Sequence, residues 1–188
     1  MSANTSLVWR RIDQPGAEYF SLIAFKTGWQ LMGTVVVTDE QRPFRIQYTI
    51  RCDRAWQTRR VKVDITEGAR LHHVDLRVDA EQGWWQAGAE LTAFHGYQDI
   101  DLGFTPSTNT LPIRRLKLAI GASADVSAVW LQFPSLELRP FAQTYTRLAE
   151  DRYRYASEGG YSNELTVDDM GLVRTYPEAW VCEASDKV

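Results

Sequence analysis

The densest group of side chains capable of chemistry lies in the central segment, residues 99–116. Asp99 and Asp101 are two positions apart, so on a strand their carboxyls share one face and, if buried, are close enough to raise each other's pKa. The segment also contains an amide and two adjacent cations, namely Asn109, Arg114 and Arg115. Four interpretations stay open for the two aspartates: an acid–base pair, ligand-binding carboxylates, a solvated strand end, or carboxylates satisfied by the arginines.

Two prolines constrain the backbone that carries these groups. Pro106 and Pro112 fix their own φ and bias the preceding residue toward extended geometry, so the segment is predicted to be a fixed connection. Residues 108–110 are of N-cap type, and Pro112 suits an early helical position. We expect a short helix here, a strand over residues 116–120, or both in succession.

The rest of the chain has the signature of short strands. Phe44, Ile46, Tyr48, Ile50 and Cys52 alternate with polar residues, which places them on one buried face. About a dozen such runs, separated by turn signals and almost without 3.6-residue periodicity, predict a mainly β protein. We expect one domain over residues 1–188: a many-stranded antiparallel sheet curled as an open barrel around a single short helix.

Three further candidates lie outside the central segment. Glu18 opens a strand-like run and is either a solvated edge residue or a carboxylate in a pocket. Arg59 and its neighbour Arg60 are either a solvated strand face or a contact for an anionic ligand group. Trp56 precedes them near a predicted bend, and an aromatic ring in such a place can cover the apolar face of a sugar.

Composition narrows the classes of partner. A formal net charge of −3 gives no sign of the basic face that nucleic acids require, so no nucleic-acid partner is expected. The first eleven residues lack the apolar run of a secretory signal, and no stretch approaches the ~20 apolar residues of a membrane-spanning helix. The sequence therefore predicts a cytoplasmic protein without a transmembrane segment.

Metal and cofactor signals are weak. His72 and His73 are adjacent, so on a strand they point to opposite faces and do not easily share a metal. Cys52 and Cys182 lack metal-ligand spacing; reduced thiols are expected, with a disulfide between them left open. There is no nucleophile elbow and no glycine-rich phosphate loop. We predict neither a metal nor a cofactor.

The central segment also carries a family resemblance. The run Asp99-Ile100-Asp101-Leu102-Gly103, followed by residues 105–116, resembles the signature of a bacterial glycolipid-binding family that was long classed as a domain of unknown function. The similarity extends along most of the chain, to Tyr48, Cys52, Asp53, Trp56, Thr58, Arg59, Trp130, Pro134, Gln143, Tyr145, Tyr155, residues 164–168, residues 171–173, Tyr176, Pro177 and Trp180. Tyr97 departs from the pattern, because many members have a cysteine there.

The resemblance implies a many-stranded sheet wrapped around one helix, a homodimer, and a remote similarity to lipoprotein localisation factors. It also implies an acidic pocket for a glycolipid or a related sugar-containing amphiphile, with a role in glycolipid metabolism. In that pocket Glu18, Asp99, Asp101 and Glu164 would accept sugar hydroxyls, while Asn109 fixes orientation. Aromatic residues, Tyr48 and Trp56 among the candidates, would complete it. Its carboxylates would be held by Arg59, Arg114 and Arg115.

Two alternatives belong to other classes of protein. A glycoside-type hydrolase would use two carboxylates as acid and base or nucleophile, about 5 to 9.5 Å apart across an open cleft. A structural or interaction protein would use the central segment only for packing, and would lack the cavity of a few hundred Å³ that a ligand needs.

Overall fold

The computed structural model describes residues 4–187, which form one 15-stranded sheet and a single short α-helix. The strands and the helix, in chain order, are β1 (Thr5–Arg11), β2 (Gly16–Phe25), β3 (Gly28–Asp39), β4 (Arg42–Asp53), β5 (Thr58–Glu67), β6 (Arg70–Val78), β7 (Trp84–Gln86), β8 (Ala89–Glu90), β9 (Asp99–Leu102), α1 (Thr110–Leu116), β10 (Ser123–Leu131), β11 (Leu138–Arg147), β12 (Arg152–Ser157), β13 (Ser162–Val167), β14 (Val173–Tyr176) and β15 (Trp180–Lys187).

Most neighbours in the sheet are consecutive antiparallel strands. The order is β8-β7-β6-β5-β4-β3-β2-β1-β15-β14-β13-β12-β11-β10-β9, so β1 pairs with β15 in the middle. The predicted antiparallel sheet has one exception at its edge, where β9 runs parallel to β10. Parallel neighbours need a crossover connection, and the segment that contains α1 provides it.

The chain's own connectivity forces the sheet to curl. β8 and β9 are its two edge strands, yet only residues 91–98 join them. Laid flat, fifteen strands spaced about 4.8 Å apart would separate these edges by roughly 67 Å. Eight residues span at most about 30 Å. The edges must therefore approach each other, and Thr58 N of β5 donates to Gln98 O (2.9 Å) beside β9.

Alternation along the strands separates an inner from an outer face. In β4 the residues predicted for the core face, Phe44, Ile46, Tyr48, Ile50 and Cys52, are buried, and the polar residues between them are exposed or half-buried. Trp84 is buried and its neighbour Trp85 half-buried, as expected for adjacent strand residues. The buried faces of the strands form two apolar clusters, a large one and a smaller one around Tyr145, Tyr153 and Tyr155.

The short helix lies inside this curl. Four of its seven residues, Thr110, Leu111, Pro112 and Ile113, are buried. The helix ends where Lys117 adopts a left-handed conformation (φ 48°), and no strand forms over residues 116–120, so that alternative was wrong. The predicted side-chain cap is absent as well, because Asn109 is itself helical and continues a 3-10 turn over residues 107–109.

Candidate functional site

An ion pair closes the central segment on itself. Arg115 Nη2 lies 2.5 Å from Asp99 Oδ2, and Arg115 Nε lies 3.2 and 3.3 Å from the two carboxylate oxygens. Asp99 is almost fully buried, and burial raises the pKa of its carboxyl, while the hydrogen bond and the charge of Arg115 lower it. The pair joins the start of β9 to the end of α1, so it fixes the loop between them.

Asp101 has a different partner from the one that the sequence suggested. Gln143 Nε2 of β11 donates to Asp101 Oδ2 (2.5 Å), and neither arginine of the segment contacts this carboxyl within the described residues. Burial raises the pKa of Asp101 to about 6, and the Gln143 hydrogen bond opposes the shift. Asp101 is therefore a half-buried carboxylate, ionised at neutral pH, that forms no ion pair within residues 4–187.

The other two arginines predicted to hold the carboxylates lie elsewhere. Arg114 Nη1 donates to Asp169 O (3.1 Å), and its guanidinium lies 5.4 Å from the centre of the Trp56 ring. Arg59 Nη2 pairs with Asp53 Oδ2 (2.7 Å). Among the described residues neither Arg59 nor Arg114 forms an ion pair with any of the four predicted carboxylates, so that prediction was wrong for both, whereas Arg115 pairs with Asp99 as predicted.

Glu18 belongs to a buried cluster of hydroxyl groups. Its Oε1 accepts a short hydrogen bond from the Tyr48 hydroxyl, which also lies 2.7 Å from Ser107 Oγ and 3.3 Å from Thr105 Oγ1. Glu18 Oε2 is buried and has no partner. Burial raises the pKa of Glu18 to about 8, against the lowering effect of Thr105 and Tyr48, so this carboxyl is protonated at neutral pH. The edge interpretation of Glu18 was wrong.

A glycine makes the space for this cluster. A Cβ on Gly33 of β3 would lie 2.2 Å from Tyr48 Cε1 and 2.5 Å from Glu18 Oε1, closer than real contacts allow. Because Gly33 is the cross-strand neighbour of Tyr48, the tyrosine ring lies across the bare backbone and reaches the central segment. Tyr48 and Glu18 thus hold Thr105 and Ser107 from the inner face of the sheet.

A cleft with six aromatic residues in its lining opens beside the central segment. We call this opening of about 260 Å³ the aromatic cleft; its lining is Arg11, Asp101, Leu102, Gly103, Thr105, Asn109, Trp130, Phe141, Tyr155, Ser157, Tyr161, Tyr176, Ala179 and Trp180. Trp130 and Phe141 stack with ring centres 4.4 Å apart. Asn109 is oriented by Tyr145, whose hydroxyl donates to Asn109 Oδ1 (2.9 Å). Aromatic faces beside a carboxylate and an amide form a surface on which a sugar can bind.

The predicted site residues therefore fall into several places. Asp101 and Asn109 line the aromatic cleft, and Tyr48 and Glu18 lie behind its wall residue Thr105. The rest do not line it. Asp99 and Arg115 are paired below it. Trp56 is buried against Trp29 (4.7 Å), and Glu164 is exposed, with its Oε1 3.1 Å from Arg154 Nη2.

Sequence reasoning missed most of the cleft. Arg11, Phe141 and Tyr161 were not singled out, and they come from β1, from β11 and from the connection between β12 and β13. Arg11 lies 5.7 Å from the Trp180 ring centre and is bound to Asp13 (2.7 Å). Trp130, Tyr155, Tyr176 and Trp180 all match the family pattern quoted above. These shared aromatic positions were the feature of the sequence that could have indicated the cleft. Tyr97, which departs from the pattern, packs on Phe94 and does not line the cleft.

Metal ligands are not gathered in the part of the chain that the structure describes, where no group of three or more His, Cys, Asp or Glu side chains comes together. Cys52 is buried and Cys182 half-buried, and both are free thiols. None of the helices among residues 4–187 is long and apolar enough to cross a bilayer.

The fold and the cleft define a class: a barrel-like β protein with an aromatic, ligand-sized opening beside its inner helix. The chain belongs to the family described as "Putative glycolipid-binding", whose model matches residues 6–181. No curated protein matches the chain significantly. The predicted family and the predicted fold class are thereby confirmed.

Two solved structures are similar to this chain. One is a DUF1089 family protein from Pseudomonas aeruginosa, 32% identical, with a TM-score of 0.79 over 86% of this chain and 89% of that one. The other is a β-barrel-like protein of the domain of unknown function DUF1849 from Brucella abortus. It is 11% identical, with a TM-score of 0.60 over 100% of this chain and 98% of that one, and shows the fold alone.

Proposed function

We propose that the aromatic cleft binds the sugar headgroup of a glycolipid, with a role in glycolipid metabolism that involves binding rather than turnover. The observation that carries this proposal is the position of Asp101, a half-buried carboxylate that forms no ion pair with the described residues, among the rings of the cleft. Membership of the glycolipid-binding family supports the same ligand class.

The chemistry of the cleft suits a pyranose ring. The C–H face of a sugar is apolar and packs on aromatic rings, and the stacked pair of Trp130 and Phe141 offers such a surface. Sugar hydroxyls are donors, and Asp101 Oδ1 has no hydrogen bond to the described residues, so it can accept one or two of them. Gln143 holds the other oxygen and thus sets the orientation of the carboxylate.

The size of the cleft favours a headgroup over a whole lipid. Its volume of about 260 Å³ is slightly below the ~300–1,000 Å³ of pockets that enclose drug-sized ligands. One sugar residue would be held, with the acyl chains left outside the cleft. The cleft also argues for a ligand-binding role over the purely structural alternative, which predicted no such cavity.

The hydrolase alternative needs two available carboxyls. Of the predicted pair, Asp99 is neutralised by Arg115 and almost fully buried, which leaves Asp101 alone in the cleft. This arrangement favours a binding protein. The homodimer and the cytoplasmic location remain predictions and form part of the proposal.

Calorimetry with soluble headgroup glycosides and with short-chain glycolipids tests the proposal. Wild-type protein should bind at least one member of the panel saturably. Asp101→Asn should bind that member at least about tenfold more weakly, since it loses a charged hydrogen-bond acceptor. Glu164→Gln, which alters an exposed carboxylate outside the cleft, should bind like wild type. Because the pKa of Asp101 is about 6, binding should also weaken as the pH falls below that value.

Two results would contradict this function. One is the absence of saturable binding to any glycoside or glycolipid in the panel. The other is Asp101→Asn binding as tightly as wild type. Release of free sugar from a bound glycolipid by wild type, lost in Asp101→Asn, would favour the hydrolase instead.

A further inference from the structure

Three arginines face one another on the outer surface of the sheet. Arg51 of β4 pairs with Arg60 of β5, and Arg60 pairs with Arg77 of β6, so the three lie in one row across adjacent strands. All three are exposed. Like charges directly opposite each other destabilise a sheet. Repulsion within the row therefore destabilises the folded chain, and a bound anion would relieve it.

The protein itself provides few carboxylates to neutralise these arginines. Asp75 binds Arg60 with two hydrogen bonds (2.8 and 3.1 Å) and lies 3.7 Å from Lys62, the next outward residue on β5. Arg51 donates instead to the neutral Gln30 (2.8 Å), and Arg77 lies over the Trp85 ring (6.0 Å). Within residues 4–187 no carboxylate comes within 4.0 Å of either of these two guanidiniums.

Arg51 and Arg60 line two depressions in the outer surface, whereas Arg77 lines neither of them. One, of about 280 Å³, is lined by Gln30, Thr49, Arg51, Arg60 and Lys62. The second, of about 200 Å³, is lined by Phe25, Thr27, Gly28, Trp29, Arg51 and Cys52. Arg51 belongs to both, so the basic row continues toward the turn between β2 and β3.

That turn adds an exposed aromatic ring and more charge. Phe25 is 50% exposed although it is a large apolar residue, and Lys26 follows it. Arg54, from the connection after β4, donates its Nε to Lys26 O (2.8 Å), which brings a further cation to this end of the sheet. A half-exposed aromatic ring surrounded by Lys and Arg is the composition of surfaces that sit at a membrane interface.

We propose that this end of the outer face, formed by Phe25, Lys26, Arg51, Arg60 and Arg77, docks the protein on an anionic lipid surface. The cations attract lipid phosphates and acidic headgroups, and Phe25 enters the interfacial layer. Charge complementarity selects this partner, because the row is basic on a protein whose formal net charge is −3. The exposed ring favours lipid over nucleic acid, which would be bound by charge along a groove without apolar insertion. The inference concerns a surface other than the aromatic cleft.

Sedimentation with vesicles that contain no glycolipid tests the proposal independently of the headgroup site. Wild type should co-sediment with phosphatidylcholine vesicles that carry about 30 mol% phosphatidylglycerol, and not with pure phosphatidylcholine, because only the first are anionic. Bound protein should decrease as salt rises, since salt screens exposed charges. Arg51→Glu/Arg77→Glu should lower the affinity at least about 20-fold, from roughly fivefold for each cation removed and more for each reversed charge.

Two variants separate docking from general charge. Arg139→Glu/Arg154→Glu makes the same charge change at exposed residues of β11 and β12 and should bind the anionic vesicles within about threefold of wild type. Phe25→Ser keeps every charge and should still weaken binding several-fold. Circular dichroism melting curves check that all variants are folded.

Three outcomes would overturn the proposal. The first is no sedimentation of wild type with anionic vesicles at low salt. The second is equal loss in the row variant and the control variant, which would show only non-specific charge. The third is a dimer of wild type, seen by light scattering, that the row variant abolishes while vesicle binding is absent; the face would then be an interface between two copies of this chain.

Discussion

Two buried carboxyls hold the central segment, and they are stabilised in opposite ways. Asp99 is paired with the guanidinium of Arg115. Glu18 has hydroxyl groups around it, no cation, and a pKa of about 8, so it is kept as a neutral acid. The first acid depends on a partner, and the second depends on its proton.

The contrast explains the position of Asp101 between them. Asp99 and Arg115 tie the two ends of the central segment together, while Glu18 and Tyr48 hold its middle at Thr105 and Ser107. Asp99 and Glu18 are both engaged in contacts that fix the backbone. Asp101 is therefore the carboxylate of the central segment that lines the aromatic cleft. Rigidity on both sides is what a preorganised binding group needs.

Removing the cation should have the largest effect. Arg115→Met leaves Asp99 buried and uncompensated, so we expect a loss of about 3–5 kcal/mol in the free energy of unfolding at pH 7. In Asp99→Asn/Arg115→Met the buried charge is gone, and at least about 1 kcal/mol should be recovered. Urea unfolding measures both. A double variant no more stable than the single one would refute the ion-pair account of Asp99.

Deprotonation of Glu18 should make the free energy of unfolding depend on pH. The pKa of Glu18 is raised from 4.5 to about 8, so between these values the folded state holds a proton that the unfolded state has released. Stability should therefore fall as the pH rises through this window, by up to about 1.4 kcal/mol per pH unit and about 2 kcal/mol between pH 6 and 8. Glu18→Gln should lose this contribution, and Glu164→Gln should retain it. Parallel wild-type and Glu18→Gln profiles would contradict the neutral-acid state.

Filling the space at Gly33 should disturb the cluster formed by Glu18 and Tyr48. In Gly33→Ala the new methyl group meets the Tyr48 ring and Glu18 Oε1, which predicts a loss of about 1–3 kcal/mol. In a Tyr48→Leu background the same change should cost less, because the ring is absent. A double-mutant cycle by urea unfolding measures this coupling, and strict additivity would contradict the contact.

Substitution of an exposed carboxylate should have the smallest effect on stability, and it serves as the control for the buried acids. Glu164 pairs with Arg154, and both side chains are about half exposed. Glu164→Gln should therefore change the free energy of unfolding by less than about 0.5 kcal/mol. A change as large as that of Glu18→Gln at pH 6 would mean that burial does not govern the difference between these acids.

Local patterns predicted the strands well, because alternation such as Phe44 to Cys52 reports directly which residues one face of a sheet buries. They did not predict the direction of β9, since parallel pairing depends on where the crossover returns. They also could not assign partners to charges. Arg114 and Arg115 are adjacent and identical, yet only the turn of the helix decides that Arg115 meets Asp99.

Local sequence patterns could not predict the cleft either, because it too depends on which distant segments meet. Its lining comes from β1, β9, β10, β11, β12, β14, β15 and the segments between them, and strand pairing alone brings these together. Asp101 and Asn109 were found because they lie in the dense central segment. Glu18 was found as a charge in an apolar run, but its neutral state follows from Gly33 and Tyr48, which lie on two other strands.

The seam between β1 and β15 bears on how the protein folds. Thr5 pairs with Lys187 and Arg11 with Trp180, so this ladder joins segments from the two ends of the described chain, whereas the other antiparallel neighbours are successive strands. Closing so long a loop carries the greatest entropic cost. The β1–β15 ladder should therefore form after the antiparallel strands on either side of it have paired. Trp9 spans it, with its indole N–H donating to Val173 O (2.7 Å). That single indole proton is therefore a natural reporter of when the two halves of the sheet join.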